Sequence, residues 1–271
     1  MRYIDFASFT PTQAWRDRAA RATAELEQCA DQTSRMAYIK AHTAVWRDLK
    51  AELLAKFGSR CWFTDAEETV APLDVEHFRP KAESVDSDGS VHEGYWYLAF
   101  ALSNLRLAGQ TPNRVNKRCY FPLQEHSFRA TSLHRQWQEE IPIFLDPIRL
   151  TDVELVGYDE SGQMRPSLSA TSAADKERVE ITDRLLGLST LQPLREARQR
   201  IWNDCQSIIV EIIKLKEEER QHQQTARTRG ERERLMQELR KKTLPCQPFA
   251  SVARSCLQMN PHSWAQKLIA A

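Results

Sequence analysis

The stretch DVEHFRPK, residues 74–81, followed by SNLRL at 103–107 and PNRVNK at 112–117, is the part of the chain that decides its reading. The first piece is short and mixes β-branched and aromatic residues with charge, which suits a strand that ends at Pro80. The third opens on proline and asparagine, as helices often do. Strand, strand, helix is thus the expected order, with Glu76 and His77 adjacent on the first strand, Asn104 opening the second and Asn113 nine residues later on the helix. Lys117 lies one helical turn beyond Asn113.

Helical material is expected on both sides. Thr10-Pro11 reads as an N-cap followed by proline, opening a helix over about residues 12–30. A second helix is expected over 34–57, because Ile39, Trp46, Leu49, Leu53 and Phe57 recur at helical spacing, and Gly58 is a natural stop. CWF at 61–63 reads as β material, and DSDGS at 86–90 as a loop. Residues 95–102 read as a short buried helix. Beyond Pro122 the pattern is helical again, broken by a hairpin near 155–162. Residues 214–242 are highly charged and read as a solvated helix. The predicted fold class is therefore α+β and mainly helical, with a ββα core between helical flanks. The expected divisions are residues 1–58, 59–130 and 131–271.

Composition narrows the function. With 271 residues, 41% of them hydrophobic, and a net charge of +1, the chain is an ordinary globular one without an overall basic field. Any grip on phosphate must come from local Lys and Arg clusters. No apolar run approaches the roughly 18 residues needed to cross a bilayer. The start, MRYIDFASFTP, does not read as a signal peptide. The six cysteines are scattered and are expected to be reduced thiols of a cytoplasmic protein.

The central residues are of types that phosphodiester hydrolysis can use. A histidine near its reference pKa can take a proton from water. A carboxylate and an amide oxygen can hold a hard divalent ion that relieves charge on the phosphate. Taken singly, these residues are unremarkable: a lone histidine is more often structural, and Asn104 alone is a turn residue. In this order and spacing the set resembles the HNH, or ββα-metal, nuclease superfamily. That resemblance implies His77 as general base, Glu76 and Asn113 as ligands of Mg²⁺ or Mn²⁺, and Asn104 as the residue that ties the hairpin loop and orients His77. It further implies Lys117 beside the reacting phosphate, with Arg79, Lys81 and Arg114 as contacts to the nucleic-acid backbone. His92, His126 and His134 fit no such set.

The similarity extends further. Trp46, Leu49, Phe57, Cys61, the run from Glu76 to Lys81, YWYL at 95–98, Asn104-Leu105, Asn113, Lys117 and FPL at 121–123 resemble the PtuB-like family, the HNH nuclease subunit of Septu-type and retron-associated anti-phage defence systems. EIP at 140–142, LDP at 145–147, Gly162, Leu188, Leu191 and Arg195 continue the pattern, with an echo at Pro248–Arg254. The resemblance implies DNA as substrate and an SMC/ABC-like ATPase as partner. It also allows a retron reverse transcriptase with its RNA–DNA, and it implies no membrane. Residues 214–242 would then be a docking helix or a DNA-backbone contact.

The chain departs from that family at zinc. Members carry two C-x-x-C pairs; here the positions read Cys61 to Thr64 and Gly109 to Pro112, which leaves one thiol of four. One thiolate cannot build a tetrahedral site, so no structural zinc is expected, and packing by Trp62, Phe63, Leu107 and Pro112 is expected to hold the hairpin. The competing reading is a catalytically silent HNH-derived module that binds DNA or a partner. Retention of Glu76, His77, Asn113 and Lys117 weighs against it.

Overall fold

In the computed structural model, residues 1–67, 73–109, 117–221 and 226–269 are described. The chain is mainly helical α+β, its strands forming three two-stranded antiparallel sheets among the described residues. It divides into two compact units, Tyr3–Leu150 and Thr151–Ala271, the latter including Met1–Arg2.

The first unit opens with helix α1, Gln13–Glu27. Its cap is Thr12, whose hydroxyl accepts the Trp15 N–H, and not Thr10 as the sequence suggested. Thr12 is held in turn by Glu52, which receives both its N–H and its O–H at 2.8 Å. The Trp15, Ala19, Ala22 and Leu26 positions, three and four apart, form the buried face.

The single helix expected over 34–57 is two. Helix α2, Gln32–Ala41, starts at an Asp31/Ser34 capping box, and α3, Ala44–Phe57, follows after His42-Thr43. The His42 ring bonds the Tyr38 carbonyl at 2.8 Å and stacks on the Tyr38 ring at 3.8 Å. His42 and the β-branched Thr43 are both indifferent helix formers. Helix α3 ends at Gly58, whose φ of 78° is a conformation that side chains disfavour.

Strand β1, Asp74–His77, pairs antiparallel with a later strand, Leu105–Ala108, in the register Asp74↔Ala108, Glu76↔Arg106 and His77↔Leu105. Between them lies a hairpin of β2, Glu83–Val85, and β3, Val91–Glu93, closed by the 86–90 loop. The Leu105–Ala108 strand is thus β4, and it is buried along its whole length. Residues 61–63, expected as β material, instead form a turn: Asp65 N–H returns to Cys61 O, and Trp62 N–H docks on Leu107 O at 3.0 Å. Residues 95–100 are buried as expected, while Ala101 and Leu102 are half-buried, and in place of a short helix there is a 3-10 turn at Trp96–Leu98.

After a short helix, α4, Leu150–Glu154, the expected hairpin of the second unit is β5, Val156–Tyr158, against β6, Met164–Pro166. Asp159 orders its turn by accepting N–H bonds from Ser161 and Gln163 at 3.0 Å. At Gly162 φ is 76°, and a Cβ there would stand 2.3 Å from Arg195 O, so no other residue fits without a shift. Helices α5, Ala173–Leu186, and α6, Gln192–Gln221, follow, with α7, Ala226–Lys242, packed on α6. Short helices α8, Ala250–Gln258, and α9, Ser263–Lys267, end the described chain. Trp202, Cys205, Ile209, Ile212 and Leu215 give α6 its buried stripe. The charged stretch spans the end of α6 and α7, where Arg229–Glu233 and Arg234–Glu231 pair along the surface at 2.9 and 2.7 Å. Among the described residues, no helix is long and apolar enough to cross a membrane.

Candidate active site on the β1–β4 hairpin

His77 ends β1 with its ring enclosed. It is 4% exposed, and Trp46 of α3 meets it edge-on with centroids 4.9 Å apart. Nε2 lies 2.8 Å from Ala99 O. A carbonyl only accepts, so Nε2 carries the hydrogen and Nδ1 is left with its lone pair. Nδ1 faces Lys81 Nζ at 3.4 Å. Burial, then the charge of Lys81, and more weakly Lys117, push the imidazole down to about 3 against the opposing effect of the Ala99 bond. His77 is therefore a neutral imidazole across the physiological range, with Nδ1 as its one basic atom.

Glu76 and His77 point to opposite faces of the strand. Lys117 bridges them: its ammonium donates to Glu76 Oε1 and to His77 O, both at 2.9 Å. Lys117 is 2% exposed, and the Glu76 side chain retains 14% exposure. Lys81, over the Trp46 ring at 5.4 Å, is lowered by burial; the charge of Glu76 opposes this and that of Lys117 adds to it.

Asn104 holds the turn that follows β1. Its Oδ1 accepts the Arg79 N–H at 2.8 Å, and its amide donates to Arg79 O at 3.0 Å and to Leu98 O at 3.4 Å. Backbone bonding continues past the strand where Phe78 N–H meets Asn104 O. The side chain thus ties the loop together, while Ala99 O is the group that orients the His77 ring.

Arg79, read from sequence as a phosphate contact, is placed elsewhere. Its guanidinium donates to Glu140 Oε2 at 2.7 Å and to Trp137 O at 3.0 Å, inside a ring of Phe78, Tyr95, Phe121 and Trp137. Asn113 and Arg114 lie outside the described residues. The structure therefore brings together Glu76, His77, Lys81, Lys117 and the Asn104 brace.

Four groups at or under this site were not singled out from the sequence. Trp46 was read as part of an apolar face and of the family pattern, not as a neighbour of His77, and Ala99 acts through its carbonyl, which no side-chain pattern betrays. Glu140 receives Arg79. Asp146 receives Arg106 through two bonds of 2.8 and 2.7 Å beneath β4. The EIP and LDP motifs carry these last two carboxylates and were the available signal.

The donor chemistry suits a hard cation. Glu76 Oε1 and His77 O are both oxygen donors, and the position they share already attracts a positive group, the Lys117 ammonium. No group of three His, Cys, Asp or Glu side chains able to hold a metal occurs among the described residues. A divalent ion here would thus depend on one carboxylate supplemented by neutral oxygens, water or phosphate, a pattern magnesium accepts.

At the place of the absent cysteine pairs, the Cys61 sulfur accepts N–H bonds from Thr64 at 3.4 Å and from Gly109 at 3.2 Å. Trp62, Phe6 and Phe57 close over this turn, with ring centroids 5.4–6.1 Å apart. Trp62, Phe63 and Leu107 are fully buried or nearly so; Pro112 lies outside the described residues.

No protein-family model matches the chain. Over 117 residues it is 30% identical to the Septu protein PtuB of Bacillus mycoides (strain KBAB4), an alignment covering 42% of this chain and 39% of the relative. The chain therefore spans about two fifths of the length of the curated relative it matches. The likeness supports kinship with a Septu-related family.

Proposed function

We propose that the chain is the HNH-type endonuclease of a Septu-type anti-phage defence system, cutting DNA with the help of a divalent metal and under the control of an ATPase partner. The observation that carries this reading is the His77 tautomer. With Nε2–H committed to Ala99 O, the ring's one lone pair is on Nδ1, turned to the Lys81 ammonium at 3.4 Å, and the adjacent residue carries the Glu76 carboxylate. A buried histidine with a merely structural role has no need of an acidic neighbour at a partly open edge.

His77 Nδ1 takes a proton from the attacking water, and Ala99 O holds the ring as the imidazolium forms. Its low pKa keeps it unprotonated and ready. The arrival of phosphate anions raises that pKa and so strengthens the base when substrate is present. Mg²⁺ or Mn²⁺, held by Glu76 and Asn113, supplies charge relief on the phosphate and on the leaving oxygen. Lys117, Lys81 and Arg114 hold the backbone of the nucleic acid, and Asn104 keeps the loop that carries Lys81 in place. With a net charge of +1, the chain relies on its partner for much of the grip on DNA. The ATPase is the expected partner, and a retron reverse transcriptase with its RNA–DNA is the other assembly consistent with this family.

Plasmid cleavage with Mg²⁺ or Mn²⁺, with and without the ATPase of the same locus, tests the reading. Wild type cuts, and His77→Ala cuts at least about 100-fold more slowly while remaining folded. Absence of cleavage from folded wild type in every combination would favour the silent binding module instead.

A further inference from the structure

The ammonium of Lys117 stands between an anionic oxygen, Glu76 Oε1, and a neutral one, His77 O, at 2.9 Å from each. These are hard donors of the kind that bind divalent cations. Lys117 is almost fully enclosed, whereas Glu76 keeps a path to solvent. A second ammonium, that of Lys81, is close enough for its charge and those of Glu76 and Lys117 to influence one another. One carboxylate thus serves two cationic side chains, and a divalent ion arriving at Glu76 must contend with both.

We propose that Lys117 is an exchangeable cation, its ammonium competing with the divalent metal for the oxygens of Glu76 and His77. The inference rests on the reading of Glu76 as the metal-binding carboxylate. It adds an order of events to that reading. While Lys117 sits on Glu76, the carboxylate is neutralised and metal binds weakly. When metal takes Glu76, the ammonium is released on its four-carbon stem and can pair with phosphate oxygens. A polyanion that captures Lys117 therefore favours metal loading, and metal loading frees Lys117 for the polyanion, as reciprocal coupling requires. Metal-free protein is held idle by its own side chain.

The test is a Mn²⁺ titration of the full chain without nucleic acid, read by the loss of the free-ion EPR signal, on wild type, Lys117→Met and Lys117→Arg. The Met variant keeps the length of the stem and removes the charge, and it is expected to bind Mn²⁺ roughly tenfold more tightly or better. The Arg variant keeps the charge and stays near wild type. Equal affinities of wild type and Lys117→Met overturn the competition and leave the metal site standing. No Mn²⁺ binding by any of the three overturns the metal site itself and the proposal with it. A measurement on wild type alone guards against a Met variant that fails to fold. Acetylation of Lys117 by an amine-reactive ester, followed by mass spectrometry, rises when Mn²⁺ saturates the protein. Labelling that stays constant at saturation overturns the exchange.

Discussion

The Arg79 guanidinium and the Glu140 carboxylate meet at 2.7 Å with 7% and none of their side chains exposed, which makes the end of β1 a clamp on the chain some sixty residues later. The other oxygen of Glu140 receives the Tyr95 hydroxyl at 2.7 Å and the Ala130 N–H at 2.9 Å. Burial, and then the negative charge of Glu140, push the Tyr95 phenol well above its ordinary range. The carboxylate is thus fully surrounded by donors, the condition under which a buried ion pair holds a structure.

Removing one partner leaves the other charge buried and uncompensated. Glu140→Ala is expected to cost about 3–5 kcal/mol of stability. The double variant Arg79→Met/Glu140→Leu is expected to recover much of that loss, so the cycle of single and double variants is far from additive. Urea unfolding of five proteins measures both: wild type, Glu140→Ala, the single variants Arg79→Met and Glu140→Leu, and the double variant. A loss below about 1 kcal/mol for Glu140→Ala would mean that the pair is not a clamp.

The Cys61 sulfur leads to a prediction about metal removal. Because it is held by the N–H groups of Thr64 and Gly109, the turn has a built-in replacement for a metal–thiolate bond. Prolonged dialysis against a chelator is expected to leave the melting temperature within about 1 °C of its starting value, whereas loss of a structural zinc removes folding energy outright. A fall of many degrees, reversed by zinc, would show that ligands beyond Cys61 complete a site.

What could be read from the sequence depends on how local the cause is. The β1 and β4 strands, the 86–90 loop and the β5–β6 hairpin follow from β-branched and aromatic stretches set between turn residues, and the structure contains each. The break at His42-Thr43 was missed because the apolar spacing from Ile39 to Phe57 runs through it unchanged. Only the ring of His42 on Tyr38 marks the interruption. The 61–63 turn was misread because aromatic residues suit strands and tight buried turns alike. At the site, the adjacency of Glu76 and His77 was plain, but the environment that makes His77 neutral is burial, to which Trp46 contributes from far along the chain, together with the charges of Lys81 and Lys117. Arg79 was read as a phosphate contact from the family resemblance; its true neighbour, Glu140, is non-local.

Burial of His77 gives a pH dependence whose sign can be fixed. In the unfolded chain a histidine titrates near 6.5, while in the folded protein His77 is pushed down to about 3 by burial and the nearby lysines. Between those values the unfolded state binds a proton that the folded state refuses. Stability therefore falls as pH drops from about 6.5 towards 3, and above 6.5 the group contributes no slope. Each pH unit inside the window removes at most about 1.4 kcal/mol. His77→Gln loses the titrating group, so its stability curve should be flatter than that of wild type below pH 6.5 and parallel to it above. Whatever packing the substitution disturbs shifts the whole curve without altering this difference in slope. Urea unfolding at half-unit steps from pH 8 to pH 4.5 makes the comparison. Parallel curves throughout would place the folded-state pKa of His77 near its ordinary value, against a ring shielded by burial.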